Sequence, residues 1–182
     1  MRKATAYLAV SLDGYIADPA GGVGWLDEFA AGQSEDGYAA FAKTVDTVVM
    51  GGRTYRQIVT ELSPDRWVYE GMDAWVWTRD PAPLRFARRI EGDLGAWLRA
   101  RKRQTGKDIW LCGGAQLIAA AAAAGEVDRW HLTVLPVLLG GGTRLFPEGA
   151  PQALRLCEVR RSGGIAEMIY EKIDENRPCN AP

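Results

Sequence analysis

Residues 109–118 read IWLCGGAQLI, and residues 48–55 read VVMGGRTY. Each is a short apolar run, then a pair of glycines, then residues suited to open a helix. A short apolar run ended by glycine predicts a strand buried on both faces, and strands of that kind belong to a mainly parallel sheet covered by helices. Glycine lets the backbone approach a ligand without a Cβ, and a helix start presents unpaired N–H groups and a positive dipole end. A phosphate or pyrophosphate is the natural guest at such a junction. Arg53 and Thr54 add a cation and a hydroxyl to the first one. One such turn is explained by a tight connection alone; two, both at carboxyl ends of strands in one small sheet, predict a ligand crevice. Neither matches GxxxxGK[ST] or GxGxxG, which argues against nucleotide-triphosphatase and Rossmann chemistry. A third glycine run, LLGGGTRLFP at 138–147, contains Thr143 and follows a long strand. It reads as a loop bordering the same crevice or as a sharp connection in the sheet.

Working outward, the spacing predicts strands over 3–10, 47–50, 74–78, 109–112 and 129–138, with a brief extended stretch at 15–17 after the Asp13-Gly14 turn. Helices are expected from an N-cap at Ser34 to about Lys43, from Arg53 to about Thr60, from Gly92 to Arg103 with Leu94 and Leu98 inward, and from Gly113-Gly114 through Ala124. Two closing strands, 155–161 and 165–173, flank the tight turn Ser162-Gly163-Gly164. The fold expected is one α/β three-layer sandwich over residues 1–173, a mainly parallel sheet with an antiparallel C-terminal hairpin. Residues 174–182, ending NRPCNAP, read as a flexible tail.

Charge narrows the function. The 182 residues carry 22 Lys+Arg against 23 Asp+Glu, a formal charge of -1, so there is no basic excess for a nucleic-acid backbone. Three cysteines in no CxxC spacing offer neither a disulfide framework nor a zinc site, which makes a reducing cytoplasm the default. The N-terminus lacks a signal peptide's apolar core, and Leu117 to Ala124 is too short to span a bilayer. The single histidine, His131, rules out a His-rich metal site, and no GxSxG elbow accompanies it for hydrolase chemistry. Its place on WHLTVLPVL predicts a structural or rim histidine.

AVSLDGYIA near the start, VVMGGRTY, LCGGAQLI and LPVLLGGGTRLFP stand in the order and spacing of the dihydrofolate reductase-like superfamily. The chain resembles its riboflavin-biosynthesis branch, the C-terminal reductase domain of the deaminase-reductases and its stand-alone bacterial relatives. The similarity runs over roughly residues 3 to 173 and is strongest in GGAQLIAAAAAAGEVDRWHLTVLPVLLGGGTRLF.

The resemblance implies an NADPH-dependent reductase acting on a pteridine- or pyrimidine-type molecule. By the family pattern, Gly113 and Gly114 lie against the nicotinamide side and the pyrophosphate, and Ala115, Gln116 and Leu117 complete the cradle. Gly51, Gly52, Arg53 and Thr54 take the adenosine phosphates, Thr78 and Arg79 flank the 2′-phosphate, Ile16 packs on the nicotinamide ribose, and Thr143 borders the cofactor. Arg53 and Arg79 suit a 2′-phosphate chemically, favouring NADPH over NADH. For the substrate the resemblance points to an acid in the first helix, Asp36 with Glu35 as alternate, and to Trp25 at the mouth; acids there are also favoured by the helix dipole alone. A substrate phosphate could be met by Arg144, Arg56 or Arg66. The aminobenzoylglutamate-binding arginine of folate reductases has no clear counterpart between Glu61 and Asp73, which argues against dihydrofolate reduction. The zinc deaminase half is absent, so a riboflavin role would be reduction of a ribosyl group to a ribityl chain. A non-catalytic small-molecule binder of the same fold is the alternative from another class. Pro136, inside the run 127–139, cannot donate to a ladder and marks a bulge or edge; with the relatives' habit of pairing through that side, it predicts a homodimer near this strand, unless the hairpin 155–173 covers the edge.

Overall fold

The computed structural model describes residues 1–32, 35–147 and 149–173, with the side chains of residues 30–32, 35 and 36 left aside. Its centre is an eight-stranded sheet. In chain order the strands are β1 (Ala4–Ser11), β2 (Tyr15–Ala17), β3 (Val45–Gly51), β4 (Asp73–Trp77), β5 (Arg88–Ile90), β6 (Asp108–Gly113), β7 (Arg129–Leu135), β8 (Thr143–Arg144), β9 (Leu154–Ser162) and β10 (Ile165–Lys172). The sheet order is β5-β4-β3-β6-β1-β7-β10-β9, while β2 and β8 form a separate two-stranded ribbon. Every pairing from β5 to β7 is parallel, and β10 runs antiparallel to both neighbours, so it alone opposes the rest.

Alternation along the strands sorts the core into two layers, as a period of two requires. On one face Ala4, Ala6, Val49, Ile109 and Leu111 meet Leu94 and Leu98 of α3 (Leu94–Lys102) and Leu117, Ile118 and Ala121 of α4 (Ala115–Ala123). On the other face Val48, Met50, Val76 and Trp110 meet Tyr55 of α2 (Gly52–Gln57) and Phe41 of α1 (Glu35–Ala42). This is the three-layer α/β sandwich, with its antiparallel C-terminal hairpin.

Four local features depart from the sequence expectation. A 3-10 segment occupies Gly24–Gly32, a stretch for which no element was expected. The second helix ends at Gln57 and continues as a π turn over Ile58–Leu62, closed by Ser63 N–H donating to the Ile58 carbonyl at 2.8 Å. Strands β5 and β8 have three and two residues and too little pattern to be seen. Finally, β7 stops at Leu135, and Pro136 lies beyond it rather than inside a strand. The edge reading of this strand is therefore corrected: β7 is interior, paired with β1 on one side and β10 on the other, and the open edge is β9. The Ser34 cap and the tail 174–182 lie outside the described residues.

Candidate active site

A cavity of about 1060 Å³ opens at the carboxyl ends of β1, β3, β4, β5 and β6. It lies where the strand order doubles back, since the chain steps from β1 out to β3, β4 and β5 and returns with β6 between β3 and β1. Open α/β sheets bind ligands at such a switch point. The volume stands at the upper end of the roughly 300–1,000 Å³ usual for small-molecule sites, room enough for a dinucleotide and a second ring.

The two glycine junctions touch one another here. A Cβ at Gly51 would stand 3.6 Å from Gly114 N, and one at Gly114 would stand 3.3 Å from Thr54 Oγ1. The Gly113–Gly114 peptide is cis, and Gly113 has a φ of 124° with open space where a Cβ would project. Gly114 caps α4 without any side-chain hydrogen bond, so its first N–H groups remain available, whereas α3 is capped by Asp93, whose Oδ1 accepts from Ala96 N–H at 2.7 Å. Gly52 is required by close approach: a Cβ there would stand 2.6 Å from Thr78 Oγ1.

Ile16, Gly51, Gly52, Arg53, Thr54, Thr78, Arg79, Gly113, Gly114, Ala115, Gln116, Leu117 and Thr143, the residues singled out for a cofactor, all line this one cavity. Arg53 and Arg79 are exposed, and among the described residues neither has an ion-pair or hydrogen-bond partner. Arg56 also lines the wall but is engaged by Asp80, 3.0 Å away. The wall thus has bare glycine backbone, an uncapped helix start, hydroxyls and two free guanidinium groups, a donor set that fits a pyrophosphate and an added phosphate.

The substrate residues fare differently. Trp25 is half-buried in the 3-10 segment; Val23 and Leu26 on either side of it line the cavity, and Trp25 does not. Glu35 and Asp36 open α1, and their side chains lie outside the described residues. Arg144 lies over the Tyr15 ring at 4.9 Å on the β2–β8 ribbon, and Arg66 offers its carbonyl to Ser63; neither is on the wall.

Other wall residues came without warning. Tyr7, Leu8 and Ala9 of β1, Trp77, Tyr69, Trp110 and Cys112 all face the cavity. The β3–β6 register slips by one residue, from Val49↔Leu111 to Met50↔Gly113, leaving Cys112 as the extra residue. A bulge of this kind re-aims a side chain beside a site. The Cys112 Sγ meets Tyr69 Oη at 3.3 Å. Burial pushes the Cys112 thiol up to about 11 and the Tyr69 phenol upward as well, so both are neutral at physiological pH. Cys112 directly precedes Gly113, and that adjacency was the one signal that could have flagged it.

His131 is buried beside Tyr7, ring centroids 4.3 Å apart, with Nε2 3.6 Å from Glu167 Oε2. Desolvation holds its pKa low against the pull of Glu167. It lies off the cavity wall, as a structural histidine should. Among the described residues no helix is long and apolar enough to cross a membrane.

The RibD C-terminal domain family matches residues 60–165. The uncharacterized protein YwjB of Bacillus subtilis (strain 168) is 35% identical over 174 residues, covering 93% of this chain and 97% of that one. A protein assigned to riboflavin biosynthesis from Shewanella sp. PV-4 superposes with a TM-score of 0.76 at 25% identity, over 94% of this chain and 99% of that one. The diaminohydroxyphosphoribosylaminopyrimidine deaminase/5-amino-6-(5-phosphoribosylamino)uracil reductase of Thermotoga maritima superposes with a TM-score of 0.66 at 13% identity, over 94% of this chain and 57% of that one. The last likeness concerns the fold alone.

Proposed function

This chain belongs to the RibD C-terminal domain family of riboflavin-pathway reductases, and on that premise we propose that it is an NADPH-dependent oxidoreductase that reduces a pteridine- or pyrimidine-type small molecule. The observation that carries the reading is the meeting of two glycine junctions and two unpaired arginines on one cavity wall. Gly51 to Thr54 and Gly113 to Leu117 would hold the pyrophosphate, and Arg53 and Arg79 the 2′-phosphate. NADPH, when bound, supplies the hydride. The protein's own part is to orient two rings, exclude water and let a proton reach the substrate atom beside the reduced carbon. Leu8, Ala9 and Ile16 supply the apolar surface that keeps water out.

Titration with NADPH, followed by the fluorescence of wall residues Trp77 and Trp110, tests the cofactor half. Saturable quenching is expected, and an unchanged spectrum would count against the reading. Loss of NADPH absorbance is then screened against dihydrofolate, pterins and the phosphoribosylaminopyrimidine. A second reading, a binder without turnover, is favoured by one fact: among the described wall residues the only carboxylate is Asp80, and it is paired with Arg56. Ligand binding at constant NADPH absorbance would select it.

A further inference from the structure

Resting on that reading, we infer that Asp80 sets how strongly the cavity prefers a 2′-phosphorylated dinucleotide to an unphosphorylated one, by holding Arg56 as a cation in reserve. Two contacts place the residues concerned at one corner of the wall. Gly52, which opens α2, presses on Thr78, just past β4, since a Cβ on Gly52 would stand 2.6 Å from Thr78 Oγ1. Arg53 and Arg79 are their next neighbours along the chain. Asp80 N–H then donates to Thr78 Oγ1 at 3.1 Å, and Arg56 reaches across from α2 with Nη1 3.0 Å from Asp80 Oδ2. Three guanidinium groups and one carboxylate thus line the same cavity around a single contact.

A carboxylate works against a wall suited to anions, and the backbone does not demand it. Asp80 Oδ1 accepts from Ala82 N–H at 3.0 Å, and Arg89 fastens the same bend from β5 by donating to the carbonyls of Asp80 and Ala82. A side-chain oxygen that bonds the backbone two residues on is an Asx turn, which asparagine forms as readily. What the charge adds is the ion pair with Arg56. The two side chains are 57% and 43% exposed, and a pair so open to water is worth only about 1.5- to 5-fold in an equilibrium constant. A phosphate brought to this corner finds Arg53 and Arg79 unpaired. It draws on Arg56 only by parting it from Asp80, whose own charge repels the phosphate. The pyrophosphate, common to both dinucleotides, is assigned to the glycine junctions, so the pair bears chiefly on the added phosphate.

Fluorescence titration of the full chain with NADPH and with NADH tests this. Calorimetric titration with adenosine 2′,5′-bisphosphate and with 5′-AMP, which carry no nicotinamide, reads the same phosphate a second time. Both side chains are exposed, so neither Asp80→Asn nor Arg56→Gln disturbs the core. Asp80→Asn keeps the oxygen that accepts from Ala82, and it should raise the affinity for the phosphorylated probes about two- to fivefold relative to the unphosphorylated ones. Arg56→Gln leaves Asp80 bare and should lower the same ratio. A merely structural ion pair would move both variants in one direction, because either substitution breaks it. An unchanged ratio in Asp80→Asn, or shifts of one sign in both variants, overturns the inference and leaves NADPH binding as proposed. A wild-type chain that prefers NADH refutes the assigned cofactor, and the signs of the two shifts still decide the inference. A chain that binds none of the four probes overturns both.

Discussion

Arg53 and Arg79 reach solvent on one wall, from α2 and from just after β4, where their neighbours Gly52 and Thr78 touch. A charge-assisted bond to a phosphate is worth roughly 1.5–3 kcal/mol, or about 10- to 150-fold in affinity. Arg53→Ala and Arg79→Ala should therefore weaken NADPH by about that factor and NADH much less. Equal losses for both cofactors in both variants would remove the 2′-phosphate assignment. The cysteines allow a separate check. Cys112 and Cys157 are both free, but Cys157 is exposed on β9, whereas burial holds the Cys112 thiol up to about 11. Thiolate is the reacting form. Iodoacetamide at neutral pH should label Cys157 ahead of Cys112, and Cys112 labelling should keep rising with pH toward about 11. Peptide mapping that found Cys112 modified first at neutral pH would contradict the buried, neutral thiol.

At the scale of elements, the glycine junctions were legible because everything that defines them is local: an apolar run, two residues without Cβ, and a helix. Their convergence on one wall follows from the parallel pairing of β3 with β6. The aromatic wall residues Tyr7, Tyr69 and Trp110 were not legible, because their meeting depends on pairing. Tyr7 and Trp110 are 103 positions apart and meet only because β1 and β6 are neighbours. The short strands β5 and β8 are likewise created by their partners, Trp75–Trp77 of β4 and Tyr15–Ala17 of β2. Pro136 misled for a different reason. It does break pairing, but at the end of a strand, where Val137 N–H already turns back to the Leu135 carbonyl at 2.8 Å. The contact between α2 and β4 gives a prediction. A Cβ at Gly52 would stand 2.6 Å from Thr78 Oγ1 and 3.0 Å from Thr78 Cβ. Gly52→Ala should cost about 1–3 kcal/mol in stability, the usual range for overpacking. Adding Thr78→Gly, which removes both clashing atoms, should restore part of it. Thermal melts of the single and double variants decide; additive losses would mean that the two residues do not press on each other.

Across the whole molecule, the parallel part of the sheet ends at one side in three-residue β5 and at the other in the hairpin of β10 and β9. The two edges are unequal. Strand β9 has nine residues, and Leu156 and Val159 on it are 52% and 59% exposed. A long strand with an open ladder and exposed apolar side chains invites a partner. Glu158 and Arg160 pair with each other on the same strand, at 2.5 Å, and charges of this kind blunt indiscriminate pairing without closing the edge to a matched one. A second copy related by a two-fold axis offers that match, because β9 then meets β9 antiparallel. The hairpin covers β7, so the dimer expected from the sequence moves from β7 to β9. Light scattering should give a mass near twice the 19.9 kDa of one chain. Val159→Lys places a charge on the exposed apolar side and should return the mass to that of one chain while leaving NADPH binding intact, since β9 lies four strands from β6 and contributes nothing to the cavity wall. A wild-type mass near that of a single chain at micromolar concentration would show that the edge stays unpaired.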